Sequence, residues 1–335
     1  MENRIFEILR TVKYPGFSRD IVSFGLVKSV DEGDGHPVVK MALTTADPQM
    51  GETIRLLCEE ALRGTGIPAT VLMETQAPPQ PGTVPVPQPI EGVQRVIAIG
   101  SGKGGVGKST VSTQLALAFA RAGKKVGICD CDVYGPSLSQ MFGCHERPLA
   151  DEQERIVPVE CNGNIKLLSM GMLLDDAAPA AMRGPMVTRI MQQFLRHTAW
   201  APLDVLILDL PPGTNDIHLT IAQTVVVDGA IIVTTPQEIA LLDARKAAGF
   251  FEKTNIPILG IVENMSYFEC PGDGKRYDIF GSGGGEREAT RLNTRLLAQI
   301  PIEIPVREAG DTGLPLAADS TARQAFDRLA SCLQK

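Results

Sequence analysis

A glycine-rich loop constrains this 335-residue chain more than any other feature of its sequence. The loop, Gly100 to Thr110, follows an apolar run that is typical of a strand and precedes a stretch that is typical of a helix. Its segment Gly102–Ser109 fits the pattern G-x-x-x-x-G-K-S/T, in which glycines let backbone N–H groups surround an anion. In that pattern Lys108 reaches the β- and γ-phosphates, and the Ser109 hydroxyl completes the shell of a Mg²⁺ ion. The loop is therefore predicted to bind a nucleoside triphosphate.

The same glycines also fit a dinucleotide-binding fingerprint. Gly100, Gly102 and Gly105 match G-x-G-x-x-G, and Asp130 could be the acidic residue that this fingerprint expects further along the chain. A plain glycine-rich turn is a third interpretation. The Lys108-Ser109 pair favours the triphosphate, because a dinucleotide loop has no use for a lysine and a Mg²⁺-binding hydroxyl at that point.

Charge and composition limit the classes of partner. The net charge of −7 argues against a nucleic-acid partner, which is held by a basic face. The start of the chain lacks the layout of a signal peptide, and no apolar run approaches the ~18 residues that span a bilayer. The chain has seven cysteines, an odd number, and they are scattered along the sequence. This pattern does not indicate a disulfide framework and is typical of a protein in a reducing compartment. We therefore expect a cytoplasmic protein with no membrane partner and no nucleic-acid partner.

Prolines divide the chain into two predicted domains. Residues 77–92 are rich in proline, which removes backbone donors and biases the chain towards an extended, semi-rigid linker. Residues 1–76 are predicted to form a small α/β domain. Its predicted elements are a short helical segment at Ile5–Leu9, a strand at Ile21–Val30, a strand at Val38–Leu43, a helix at Pro48–Arg63 and a strand at Val71–Met73.

Residues 93–335 alternate apolar strands with helical stretches. Most of the strands are continuous apolar runs, as expected of parallel strands that are buried on both faces. The predicted strands are Val96–Ile99, Val126–Asp130, Ile165–Ser169, Val205–Leu210, Ala230–Thr234, Ile258–Glu263 and Ile300–Ile304. The predicted helices are 108–122, 186–198, 238–253, 286–298 and 320–333. The fold class is therefore α/β, with a doubly wound, mostly parallel sheet preceded by a small α/β domain.

Three predicted strand ends carry polar residues. Asp130 and Asp132 follow one strand, Asp209 ends another, and Asn264 follows a third. Ligands of such folds bind beyond the carboxyl ends of the strands, where these side chains are expected to meet the glycine loop. Asp209 together with Ser109 is predicted to hold the Mg²⁺ ion.

Several longer motifs carry a family resemblance. They are Lys103-Gly-Gly-Val-Gly-Lys108-Ser109, Asp130-x-Asp132-Val-Tyr-Gly-Pro-Ser137, Met182-Arg-Gly-Pro185, Asp209-Leu-Pro-Pro-Gly-Thr214, Asn264-Met-Ser-Tyr-Phe268 and Ile279-Phe-Gly-x-Gly-Gly-Gly285. With them the sequence resembles the Mrp/ApbC iron–sulfur cluster carriers, which are P-loop ATPases of the MinD/ParA type with a deviant Walker A loop. Residues 1–76 resemble the small metal–sulfur cluster assembly domain of the SufT-like type. Stand-alone members of that type carry a reactive cysteine where this chain has Asp47 before Pro48, so a plain protein-binding module is the preferred interpretation of this domain.

The resemblance implies a homodimeric ATPase that uses ATP and Mg²⁺. It implies nucleotide contacts throughout the loop, from Gly102, Lys103, Gly104, Gly105, Val106, Gly107, Lys108, Ser109 and Thr110. Lys103 would contact phosphate across the dimer interface, and Asp132 would orient the attacking water; these two residues and Lys108 form the implied catalytic group. Asp209 would be the Walker B acid. Asn264 would contact the adenine edge, and a loop at Pro305–Asp311 would close the base pocket.

The resemblance also implies an iron–sulfur cargo, where this chain departs from the family pattern. The family holds a bridging 4Fe–4S cluster between two subunits with a Cys-x-x-Cys motif, whereas here Cys270 occupies the first position and Asp273 the second. Two chains would then offer two thiolates and two carboxylates, which hold a stable cluster less well than four thiolates do. A labile cluster, or a third ligand from elsewhere in the chain, is the alternative. The implied clients are apo iron–sulfur proteins or assembly factors. A nucleotide-switched regulator or scaffold of the MinD/ParA type, holding no stable cluster, is the alternative.

Overall fold

A computed structural model describes residues 2–15, 20–23, 25–33, 36–44, 48–76, 86–173 and 184–334. The chain divides into two compact units, Met1–Val84 and Pro85–Lys335. Asp47, the Met182-Arg183 pair and the first part of the predicted linker, 77–85, lie outside the described residues.

The first unit is a three-stranded sheet packed against helices. Its elements are α1 (Glu2–Leu9), β1 (Val27–Gly33), β2 (His36–Thr44), α2 (Pro48–Gly64) and β3 (Thr70–Gln76). The sheet order is β1-β2-β3, with β1 antiparallel and β3 parallel to β2. The predicted strand at Ile21–Val30 is wrong in its first half, because Asp20 accepts hydrogen bonds from the N–H and the hydroxyl of Ser23 and holds a turn there.

The second unit is built on an eight-stranded sheet. Its strands, and those of two short side ribbons, are β4 (Val96–Gly100), β5 (Val126–Asp130), β6 (Leu149–Ala150), β7 (Ile156–Val157), β8 (Val159–Cys161), β9 (Ile165–Leu168), β10 (Val205–Asp209), β11 (Gly229–Thr234), β12 (Ile258–Glu263), β13 (Phe268–Glu269), β14 (Arg276–Tyr277) and β15 (Leu296–Gln299). The order in the main sheet is β15-β12-β11-β4-β10-β5-β9-β8, and only β8 is antiparallel to its neighbour. The glycine loop follows β4, in the middle of this sheet.

Helices cover both faces of the main sheet. They are α3 (Lys108–Arg121), α4 (Leu138–Phe142), α5 (Gly184–Arg196), α6 (Asp216–Thr224), α7 (Glu238–Lys253), α8 (Gly284–Arg291), α9 (Ile304–Thr312) and α10 (Thr321–Leu333). One apolar core contains buried residues of α3 and α10, and a second contains buried residues of α5, α6 and α7. The strands between them are buried on both faces, which explains their continuous apolar sequence. The predicted doubly wound α/β architecture is confirmed.

Three predictions near the end of the chain are wrong. The helix expected over 286–298 ends at Arg291, and Asn293 then adopts a left-handed conformation with φ 48°. The last strand is Leu296–Gln299 instead of Ile300–Ile304, because Pro301 cannot donate to a strand ladder. The loop expected at Pro305–Asp311 belongs to α9, with Pro305 in its first turn, where a missing N–H costs nothing.

Cys144 and Cys161 correct the expectation that the scattered cysteines form no disulfides. The two residues form a disulfide between the end of α4 and the edge strand β8, with their Cα atoms 6.3 Å apart. The two cysteines lie 17 residues apart in sequence, and no local motif predicts their contact. They meet because β8 lies close to the end of α4 in the folded chain. Within the described parts of the chain, no helix combines the length and the apolar character needed to cross a membrane.

Candidate functional site

The glycine loop adopts a conformation that only glycine tolerates at several of its positions. Gly105 and Gly107 have φ angles of 82° and 81°, in the left-handed region, and α3 begins directly after Gly107. Gly102 lies against α7, and a Cβ atom there would lie 2.0 Å from the carbonyl oxygen of Asp243. The loop therefore brings backbone N–H groups and the N-terminus of α3 to one point, an arrangement that binds anions.

Asp209 lies at the centre of the polar contacts behind this loop. Its Oδ2 atom accepts hydrogen bonds from Lys108 Nζ and from Ser109 Oγ, each at 2.7 Å. Its Oδ1 atom accepts from Ser112 Oγ at 2.6 Å. The carboxylate is fully buried and the lysine is 7% exposed, so this ion pair is screened from water. The structure thus brings together three of the residues that the sequence singled out, Lys108, Ser109 and Asp209.

Asp130 organises the loop that follows β5. Its carboxylate is fully buried and accepts hydrogen bonds from the N–H groups of Asp132, Ser137 and Leu138 and from the hydroxyl of Ser169. Burial, and then the nearby charge of Asp209, raises the pKa of Asp130 to about 7. Asp130 therefore fixes the conformation of this loop.

Asp132 is partly exposed in the same loop. Its Oδ1 atom accepts a hydrogen bond from the N–H of Gly135 at 3.2 Å, so its carboxylate closes a tight turn. The described contacts do not join it to Lys108 or Asp209. The role expected of Asp132 towards an attacking water therefore remains a prediction.

A cavity of about 610 Å³ opens beside the loop. Its walls include Thr110 from the start of α3, Met141 from α4, Phe280, and Val306 and Asp311 from α9. Asn264 also lines it, and its Nδ2 atom donates to the carbonyl oxygen of Val106 at 2.9 Å. The volume lies in the range of small-molecule sites, and the mixed apolar and amide lining suits a flat heteroaromatic base.

Cys270 lies on a short hairpin formed by β13 and β14. The turn is closed by hydrogen bonds from the Cys270 N–H to the Lys275 carbonyl and from the Gly274 N–H to the Cys270 carbonyl. The N–H of Lys275, and then the thiol of Cys270 and the hydroxyl of Tyr277, lower the pKa of the Asp273 carboxyl. The thiol and the carboxylate are therefore neighbours, and a cavity of about 430 Å³ adjoins Cys270. In the described part of the chain, no group of three or more His, Cys, Asp or Glu side chains could hold a metal ion.

Two contributors to the site were absent from the sequence-based predictions. Ser112 lies one helical turn after Lys108, so helical spacing could have indicated its contact with Asp209. His218 is buried on α6, where its ring accepts a hydrogen bond from the Asn215 N–H and donates to the Pro211 carbonyl. It ties the segment after Asp209 to α6, a contact that no motif signals.

Comparison with known proteins agrees with this geometry. A family described as NUBPL iron-transfer P-loop NTPase, of the ParA group, matches residues 92–335, and a family described as iron–sulfur cluster assembly protein matches residues 2–71. The iron–sulfur cluster carrier protein of Deinococcus radiodurans is 41% identical over 337 residues, covering 99% of this chain and 95% of the relative.

Two solved structures support the fold. The nucleotide-binding protein in complex with ADP from Archaeoglobus fulgidus is 39% identical with a TM-score of 0.60, covering 67% of this chain and 88% of that one. The cell division ATPase MinD of Pyrococcus furiosus shares the fold, with a TM-score of 0.54 and 23% identity over 72% of this chain and 98% of its own. Together with the loop that precedes α3 and the buried Lys108–Asp209 pair, these matches show that the chain belongs to the NUBPL iron-transfer family of P-loop NTPases.

Proposed function

We propose that this protein is a homodimeric ATPase that binds iron–sulfur clusters and transfers them to apoproteins. The observation that carries the proposal is the buried contact of Lys108, Ser109 and Ser112 with Asp209 behind the glycine loop. It supplies a positive charge and hydroxyl groups at the place where a triphosphate would lie. The relatives named as iron–sulfur cluster carriers support the choice of cargo.

The residues of the loop would bind and orient the nucleotide. The backbone from Gly102 to Thr110 would surround the phosphates, and Lys108 would neutralise their charge. Asn264 would contact the base in the cavity of about 610 Å³. Phosphoryl transfer depends mainly on positioning and on charge stabilisation, so this arrangement suffices for slow hydrolysis with Asp132 orienting the water.

The donor atoms behind the loop fit a Mg²⁺ ion. Ser109 Oγ and Asp209 Oδ2 are hard oxygen donors 2.7 Å apart. Lys108 Nζ occupies the same carboxylate oxygen in this structure and would turn to the phosphates when the ion binds there. Ser109 and Asp209 would hold the ion, with Asp209 acting directly or through water. Bound Mg²⁺ would neutralise charge on the phosphate oxygens.

Cys270 is the proposed ligand for the cargo. One chain offers a single thiolate beside the Asp273 carboxylate, whereas a 4Fe–4S cluster usually takes four thiolates. A second copy of the chain would double the set, and Lys103, if it contacts phosphate across the interface, would make that pairing depend on nucleotide. We further propose that residues 1–76 bind clients or assembly factors, that 77–92 serve as a linker and that 93–335 form the ATPase domain. The end of this linker already packs on the second unit, where Ile90 is buried in the apolar core.

Anaerobic cluster reconstitution tests the cargo. Wild type is expected to take up about four iron atoms per dimer, with visible absorption of a cluster. Cys270→Ala should lose the cluster, whereas Cys332→Ala, which removes another partly exposed thiol, should keep it. Asp273→Cys is expected to slow the loss of the cluster in air, because it supplies a second thiolate on the hairpin.

An alternative function follows from the same hairpin. With one thiolate per chain, the protein could be a nucleotide-switched regulator or scaffold without a stable cluster. A wild-type protein that hydrolyses ATP but never binds iron anaerobically would support this alternative and would contradict cluster transfer.

A further inference from the structure

Glu263 is a fully buried carboxylate at the end of β12 that the proposed chemistry does not use. Its Oε1 atom accepts hydrogen bonds from Ser266 Oγ at 2.6 Å and from Gln299 Nε2 at 2.9 Å. Its Oε2 atom accepts from the N–H of Gly285. A buried carboxylate is costly unless it is hydrogen-bonded, so these contacts stabilise one arrangement of the chain around it.

Two of those partners are the two ends of the segment that carries Cys270. Ser266 precedes β13, Gly285 lies in the first turn of α8, and the hairpin with Cys270 lies between them. A Cβ atom on Gly285 would lie 2.9 Å from the Cβ of Glu263, so glycine is what allows this backbone N–H to approach. Glu263 therefore closes the base of the hairpin segment from both sides.

The next residue along the chain faces the nucleotide loop. The amide of Asn264 donates to the Val106 carbonyl at 2.9 Å, and its own N–H donates to Thr234 at 2.8 Å. A Cβ atom on Gly107 would lie 2.1 Å from this amide, so loop and side chain are packed together. Glu263 and Asn264 thus join the hairpin and the loop through two adjacent residues.

The cavities on the two sides share a wall. Ile302 and Glu303 line both the cavity beside Asn264 and the cavity beside Cys270. The N–H of Ile302 also donates to the Tyr267 carbonyl at 2.7 Å, which fixes the first strand of the hairpin to this wall. A displacement of Ile302 or Glu303 at the cavity beside Asn264 would therefore also displace the hairpin that carries Cys270.

We propose that Glu263 is a positioning residue that makes the position of the Cys270 hairpin depend on nucleotide at the loop. The inference rests on the proposed nucleotide binding. A base that engages the Asn264 amide changes the contact of this amide with Val106, and the adjacent carboxylate moves both ends of the hairpin segment together. In the nucleotide-free state the Asn264 amide donates to Val106, and in the nucleotide-bound state it would contact the base. Nucleotide therefore binds the second state more tightly and shifts the protein towards it.

The rate at which N-ethylmaleimide alkylates Cys270 tests this proposal. The rate is measured on the iron-free full chain by mass spectrometry of the Cys270 peptide, with and without Mg-ADP, while calorimetry measures ADP binding. In wild type, ADP is expected to change the rate by about fivefold or more, the lower end of common coupling between sites. Glu263→Gln keeps the shape but leaves one acceptor oxygen for the three donors of Ser266, Gln299 and Gly285. In this variant ADP should still bind, while the rate ratio falls to about one.

Two further variants keep the test sharp. Glu288→Gln alters another buried carboxylate, which accepts from Arg245 instead of from the hairpin ends, and it should respond to ADP as wild type does. Ser266→Ala removes one hairpin contact and leaves the Glu263 carboxylate in place, so it can be used if Glu263→Gln does not fold. This variant should show a smaller ADP-dependent change in the alkylation rate than wild type. If wild type binds ADP but its Cys270 alkylation rate does not change, the proposed coupling is wrong. The role of Glu263 is also wrong if Glu263→Gln or Ser266→Ala shows the same ADP-dependent change in rate as wild type. Wild type that binds no ADP would contradict the proposed nucleotide function itself.

Discussion

Asp209 shows how much of the site depends on a single side chain. Its two oxygens accept from one ammonium and two hydroxyls, so every acceptor contact of this buried carboxylate involves α3. Removing one partner leaves a buried charge less well compensated, which is more costly than breaking a pair in water. At the scale of residues, Lys108 is therefore expected to serve both nucleotide binding and the stability of the fold, because it compensates the buried charge of Asp209.

Lys108→Ala is expected to abolish nucleotide-dependent behaviour. ATP hydrolysis should fall at least about 100-fold, because the loop loses the charge that would stabilise the phosphates. Lys40→Ala is a matched control, since it removes an exposed lysine paired with Asp31 at 2.7 Å and should leave hydrolysis unchanged. Hydrolysis by Lys108→Ala at the wild-type rate would mean that the site is assigned incorrectly.

His218 gives a prediction about pH. Burial, and then the charge of Lys108, lowers the pKa of His218 to about 4 from 6.5. Between these values the unfolded chain binds more protons than the folded chain, so the stability from His218 is complete above pH 6.5 and is lost as the pH falls towards 4. Between pH 7 and pH 5 this histidine should remove about 2 kcal/mol from the free energy of unfolding.

Urea unfolding of wild type and His218→Gln at both pH values measures this effect. The variant loses the contact with Pro211 at either pH, so only the change between pH values reports the titration. Wild type should lose about 2 kcal/mol more than the variant on acidification. Equal losses in the two proteins would contradict the assignment to His218.

At the scale of elements, the loop depends on its contact with α7. Gly102 approaches the backbone of Asp243, and the N–H of Gly213 donates to the Ser101 carbonyl at 2.9 Å. The loop is thereby held between α7 and the segment after β10. Its shape is set by neighbours that lie more than a hundred residues away in sequence.

Gly102→Ala should disrupt this contact, whereas Gly104→Ala should not. The first Cβ would lie 2.0 Å from a backbone oxygen, and the second would meet no atom within 4 Å. We expect Gly102→Ala to cost about 1–3 kcal/mol of unfolding free energy and to weaken ATP binding, because the backbone must shift. Thermal unfolding and ATP titration compare the two variants, and equal behaviour would contradict the proposed packing of the loop.

At the scale of the whole molecule, the proposed dimer is the feature to test. Lys103 belongs to a loop in which Gly104 and Gly105 are exposed, so a second copy could reach it. The proposed cargo site also needs two chains, because one hairpin offers one thiolate.

Light scattering on the full chain measures this dependence. Wild type is expected to form dimers with a non-hydrolysable ATP analogue, and Lys103→Ala is expected to remain monomeric while it still binds the analogue. Dimers of Lys103→Ala as stable as those of wild type would contradict the role proposed for this lysine.

The P-loop and its position between a strand and a helix followed from the sequence, because contiguous motifs encode backbone conformation locally. The apolar strands and the glycine pattern sufficed to predict the sheet, α3 and the meeting of Lys108, Ser109 and Asp209. The chain beyond Gly285 was harder to predict. Leu296–Gln299 is apolar enough for either a helix or a strand, and its pairing with β12 decided the outcome.

Other features depend on packing between distant segments. The disulfide of Cys144 and Cys161, the contact of His218 with the Pro211 carbonyl and the two-sided hold of Glu263 on the hairpin segment have no contiguous signature. Each joins groups whose separation in space is set by how helices and loops pack on the sheet. The sequence could determine the glycine loop and its expected phosphate-binding residues because that motif is contiguous, whereas only the tertiary structure could decide what links the loop to Cys270.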